Sequence, residues 1–146
     1  MTEKTVPSFP AFDPMGGWAR TMALEFVRIS GEEVVVEWTV GPQHLQPFGI
    51  VHGGVHSGVV ETICSVGAGT VAATRGQTVV GVENHTSFIR AVREGRLRGV
   101  AKPLHVGQRA MLWEATITDA GGRLVASGRV RLFCLDPGES SGKPAR

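Results

Sequence analysis

Few of the features that announce a chemistry are abundant in this chain of 146 residues, and each scarcity excludes something. Cysteine is rare. Cys64 and Cys134 lie far apart with no CxxC pair, so neither a disulfide framework nor a zinc ribbon is signalled, and both read as buried thiols. Charge of one sign is equally rare: the formal net charge is +2, with no polybasic tail. That excess is too small to imply nucleic-acid binding and leaves only local patches for an anionic ligand. No apolar segment follows the opening MTEKTVPSFP, and the longest apolar stretch, residues 55–73, is interrupted by His56 and Glu61. Neither a leader nor a membrane span is signalled, so a soluble, cytoplasmic protein is expected.

Familiar catalytic motifs are missing as well. His52 and His56 have HxxxH spacing, but no Glu follows the first His and the pair Gly53-Gly54 intervenes, so no metal is expected. GAGTVA, residues 67–72, imitates a dinucleotide fingerprint yet lies inside a helical pattern instead of after a strand. Ser57 sits in no GxSxG elbow. Metal, redox cofactor and serine triad all lack support.

What is present is one domain. A chain of this length buries roughly 68–70% of its unfolded surface, enough for a single core. Residues 1–17 are rich in Pro and Gly and read as a flexible segment, residues 136–146 read as a disordered tail, and residues 18–135 form the folded body. Val34, Val36, Trp38 and Val40 alternate at period 2, and three further segments, 78–90, 96–105 and 109–118, read as strands. The last of these places Met111, Trp113, Ala115 and Ile117 on one side. After the turn DAGG, Leu124, Ala126, Val130 and Leu132 mark the apolar face of a final strand. Only residues 52–76 break this pattern, with Val55, Val59, Ile63, Val66 and Thr70 at helical spacing. One helix must therefore cover one face of a curved antiparallel sheet, an α+β fold. The uncovered apolar surface predicts a homo-oligomer, a dimer or a dimer of dimers.

Glu61 shares its helix face with Ser57, Gly58, Cys64, Ser65 and Ala68, counting about 100° per residue. A carboxylate among small residues permits close approach of a ligand or of another backbone; the alternative is a solvated surface Glu. His52-Gly53-Gly54 precedes the first helical turn, where free N–H groups and missing Cβ atoms make an oxyanion hole or merely a sharp turn. Gln46 lies just before it. Arg90, Arg93, Arg96, Arg98 and Lys102 form a basic cluster that reads either as a solvated face or as a phosphate site.

QPFGIVHGGVHSGVVETICSVGAG (46–69), VVGVENHTSFIRAVREGRLRGVAKPLHVGQR (79–109) and GRLVASGRV (122–130) resemble the hotdog-fold acyl-CoA thioesterases of the phenylacetate/4-hydroxybenzoyl-CoA type. The likeness is nearest the branch that contains the 1,4-dihydroxy-2-naphthoyl-CoA hydrolases of menaquinone biosynthesis. It implies a hotdog fold: a long central helix wrapped by a curved antiparallel sheet. It implies hydrolysis of an aromatic acyl-CoA with no cofactor beyond the coenzyme A of the substrate. Glu61 becomes the catalytic nucleophile or general base, the Gly53 amide polarises the thioester carbonyl, Gln46 and His52 orient it, and Ser65 holds the attacking group or water. Gly81, Phe88, Ile89, Arg90, Ala91, His105, Val106, Gly107, Gln108, Arg109 and Ala110 fall where relatives contact coenzyme A, at sites shared between subunits. A general medium-chain acyl-CoA hydrolase and a non-catalytic acyl-CoA-binding module are the rival readings.

Overall fold

A computed structural model describes Asp13 and residues 16–139. The remainder of the flexible start and disordered tail expected from the sequence lies outside the described residues. Six strands, β1 (Glu25–Ile29), β2 (Val34–Thr39), β3 (Thr78–Phe88), β4 (Arg96–Val106), β5 (Ala110–Asp119) and β6 (Leu124–Leu135), form one antiparallel sheet in the order β1-β2-β4-β5-β6-β3. A short helix α1 (Gly17–Thr21) precedes β1, and the long helix α2 (Gly53–Ala73) lies against the sheet. The sequence pattern does not announce α1.

Helix α2 begins where the His52 imidazole accepts the Gly54 N–H at 2.7 Å, which satisfies one of the free donors of the first turn. It runs 21 residues, about 32 Å, and Gly76, at φ 69°, turns the chain back toward β3. Val55, Val59, Ile63 and Val66 pack into the core as the helical spacing requires, but Cys64 and Ala68, expected beside Glu61, are also fully buried. The small-residue face is partly filled by the chain itself: a Cβ at Gly58 would stand 2.5 Å from the Trp18 ring of α1. On the sheet side, Gly67 has no side chain because the Trp113 ring occupies that space.

Met111, Trp113, Ala115 and Ile117 of β5 all face the core, as their alternation demands. In β6, Ala126, Val130 and Leu132 do so, whereas Leu124 is exposed and Val125 is buried instead. The cause is a register shift against β5 between Ile117 and Thr118. Val35 likewise departs from simple alternation and is buried with its neighbours. Strand β3 ends at Phe88 instead of reaching position 90, because the Ile89 and Arg90 N–H groups both turn to the Val125 carbonyl. Pro103 is tolerated in β4 because pairing with β2 stops at Ala101. Strand β3 pairs only with β6, so its other side is an open edge of 11 residues.

Candidate active site

Two places on α2 carry the residues singled out above. The first is its N-terminus, where a cleft of about 500 Å³ is bordered by Gln46, His52, Gly53, His56 and residues 88–91. The Gly54 N–H is taken by His52, and no partner is recorded for the Gly53 N–H among the described residues. His52 is therefore a helix cap here. Gln46 turns its side-chain oxygen onto the Phe48 N–H, which leaves the NH₂ end of the amide as its donor. The Phe88 ring covers Gly53 closely: a Cβ there would lie 2.5 Å from Cε2. His56, only 3% exposed, lies under Phe88 with ring centroids 6.3 Å apart. Burial pulls its imidazole down to about 4, so it is neutral near pH 7, and its Nδ1 has no partner among the described residues.

The second place is Glu61. Its Oε1 accepts from the Ser65 hydroxyl at 3.3 Å, and its Oε2 accepts from Asn84 Nδ2 on β3 at 3.0 Å. Asn84 Nδ2 also donates to the Ser57 carbonyl at 3.0 Å, while Thr86 Oγ1 donates to Asn84 Oδ1 at 2.7 Å. Gly81 lies against Oε1 with no room for a Cβ. The structure thus brings Glu61 and Ser65 together and puts Gly81 beside the carboxylate. Asn84 and Thr86 are not legible as site residues in the sequence: helical spacing reaches only residues of α2 itself, and these two come from a strand more than 20 residues later.

Within one chain the two places do not meet. Glu61 is eight residues beyond Gly53, about 12 Å along the helix and turned about 80° around it. The implied coenzyme A contacts divide in the same way. Residues 88–91 border the cleft, but the turn carrying His105, Val106, Gly107, Gln108, Arg109 and Ala110 lies at the other end of α2. There Arg75 donates to the Gly107 carbonyl at 2.9 Å and Gln77 to that of Gln108 at 3.2 Å. A recess of about 390 Å³ adjoins it, walled in part by His105, Ala110 and Arg131.

Most of the basic cluster does not serve as a free phosphate site. Arg96 pairs with Glu25 at 2.6 Å and Glu37 at 3.1 Å, Arg98 pairs with Glu37 at 2.5 Å, and Lys102 lies 3.5 Å from Glu33. Arg98 and then Arg96 hold the Glu37 carboxyl below its usual range. Arg93 donates to the Phe48 carbonyl, and Arg90 stays at the cleft. Both cysteines are buried thiols, and burial, with Glu61 adding repulsion, pushes Cys64 far above its usual value. Among the described residues no helix is long and apolar enough to cross a membrane, and no cluster of three His, Cys, Asp or Glu could hold a metal ion.

A helix start with an open amide, and a carboxylate two turns on facing a sheet edge, are carried on a fold whose residues 48–126 match the thioesterase superfamily. The chain belongs to that superfamily. Among thioesterase relatives, the 1,4-dihydroxy-2-naphthoyl-CoA hydrolase of Escherichia coli is 38% identical over 120 residues, 82% of this chain and 88% of that one. The proofreading thioesterase EntH of Cronobacter turicensis is 35% identical over 116 residues, covering 80% and 84%. The crystal structure of AziG from S. sahachiroi superposes with a TM-score of 0.80 at 43% identity, over 84% of this chain and 98% of that one. The six-stranded curved sheet with one long helix is the hotdog fold of this superfamily, and the protein is a thioester hydrolase.

Proposed function

We propose that the protein hydrolyses an aromatic acyl-CoA to the free acid and coenzyme A, at sites shared by two copies of the chain. Glu61 of one copy attacks the thioester carbonyl or takes a proton from a water that does so. The carbon–sulfur bond breaks, the thiol leaves with a proton, and one water is consumed. The Gly53 N–H of the other copy stabilises the oxyanion. One observation carries this reading: the open amide and the hydrogen-bonded carboxylate lie about 12 Å apart on one helix, so they can act on one carbonyl only if a second α2 runs the opposite way alongside.

Strand β3 supports such an arrangement. It is an open edge, and Val82 and Phe88 on it are 47% and 57% exposed. Pairing of β3 with its own copy joins two sheets into one and is a two-fold contact. Support for an aromatic acyl group comes from the cleft, which has room for rings and an aromatic wall in Phe88, and from the naphthoyl substrate named for the Escherichia coli relative. A thiol-release screen over aroyl, short-chain and long-chain coenzyme A esters tests the reading, with Glu61→Gln as control. Aroyl esters are expected to have the highest kcat/KM, and Glu61→Gln to lower kcat by about 10²–10⁴. A preference for short-chain or long-chain esters overturns the acyl assignment. Activity of Glu61→Gln within about tenfold of the parent overturns the carboxylate mechanism.

A further inference from the structure

We infer that Asn84 is a positioning residue for the hydrolysis: it pins one oxygen of Glu61 and leaves Oε1 as the oxygen that does the chemistry. This rests on the proposed role of Glu61. Every polar atom of the amide has a partner. The Ser57 carbonyl can only accept, and it and Glu61 Oε2 both lie 3.0 Å from the same nitrogen, so the NH₂ end of Asn84 must face them. The oxygen end then meets the Thr86 hydroxyl at 2.7 Å, which must donate. Rotating the amide would set oxygen against oxygen on two sides, so Ser57 and Thr86 together fix the direction of the donor.

The two carboxylate oxygens are consequently unequal. Oε2 receives a charge-assisted hydrogen bond at 3.0 Å, whereas Oε1 has a longer contact of 3.3 Å from Ser65 and lies over the bare backbone of Gly81. Other polar side chains nearby do not replace the Asn84 donor. Glu83 and His85 flank Asn84 on β3 and by alternation face away from it, cross-strand from Arg131 and Arg129 of β6, while Glu114 of β5 is opposite Arg129. On α2, Cys64 is a buried neutral thiol and His56 a buried neutral imidazole.

The test is kcat and KM for the best aroyl ester, measured separately in the whole chain, for Asn84→Ala, Asn84→Asp and Thr86→Val. Loss of one hydrogen bond to a charged group predicts a fall of about 10–100-fold in kcat for Asn84→Ala with KM within about twofold. The fall in kcat should be larger still in Asn84→Asp, where a second carboxylate faces the first and pushes it out of place. Thr86→Val, which keeps the contacts of β3 with α2 and frees only the amide, should fall in between the parent and Asn84→Ala. An Asn84 that merely ties β3 to α2 would lower the melting temperature and leave kcat of the folded variant in place. An unchanged kcat in every folded variant overturns the proposal, and Thr86→Val supplies the measurement if the Asn84 variants do not fold. A Glu61→Gln enzyme as active as its parent would instead sink the mechanism on which the proposal stands.

Discussion

Gly81 of β3 lies so close beneath Glu61 that a β-carbon at this position would collide with Oε1. Its φ is not in the left-handed region, so alanine is conformationally allowed and its only cost is this contact. Gly81→Ala should therefore fold and assemble normally while displacing the carboxylate. A misplacement near 1 Å costs about 10²-fold, and kcat should drop by that order with KM unchanged. A raised KM at constant kcat would show instead that Gly81 borders the coenzyme A path.

The packing of Phe88 on Gly53 gives a second test. Gly53→Ala should lower kcat and melting temperature because the ring must move away from the helix start. Adding Phe88→Ala removes the obstacle, so the double variant should recover more stability than the two single effects sum to, with a coupling of about 1 kcal/mol or more in denaturant melts. Strict additivity would mean that the ring shifts freely.

His56 makes folding sensitive to acid. An imidazole whose native pKa is held near 4, against an ordinary value of 6.5, is neutral in the folded state while the unfolded chain takes up a proton. Stability is unaffected above about pH 7 and declines as pH falls from 6.5 toward 4, by about 3 kcal/mol in total. Thermal melts from pH 7.5 to 4 should show this decline, and His56→Phe, which removes the titrating group, should flatten it. An equally steep curve in the variant assigns the acid sensitivity to other groups.

Association through β3 is tested by charge. At micromolar concentration sedimentation should show no folded monomer of the parent chain, and Val82→Lys, on the open edge, should shift the chain toward monomers and abolish hydrolysis. A folded monomer with full activity would defeat the shared-site reading.

Helix α2 was legible because its apolar period runs unbroken from Val55 to Val66, and β5 because the bulge opposite Leu112 and Trp113 inserts its extra residue in β4, leaving the alternation from Met111 to Ile117 intact. Where a register shift intervenes, as between Ile117 and Thr118, parity fails and Leu124 and Val125 exchange faces. The site divided along the same line. Ser65 was found at i+4 from Glu61, a relation sequence spacing contains, whereas Asn84 and Thr86 reach the carboxylate through strand pairing, which spacing along one helix does not contain. The ion pairs of the arginines on β4 escape the sequence for the same reason: Glu25 and Glu37, which neutralise them, are about 60 to 70 residues earlier in the chain and become neighbours only when β1, β2 and β4 align.

The two borders of the sheet are built differently. Strand β1 has five residues and a bulge between Phe26 and Arg28, and its Glu25 is held by Arg96. Strand β3 is more than twice as long. A sheet with two equal sticky borders would recruit copies without end, as fibres do. With β3 paired to its own copy as proposed, growth by strand addition would stop at two chains, each outer limit being a short, charge-bearing β1.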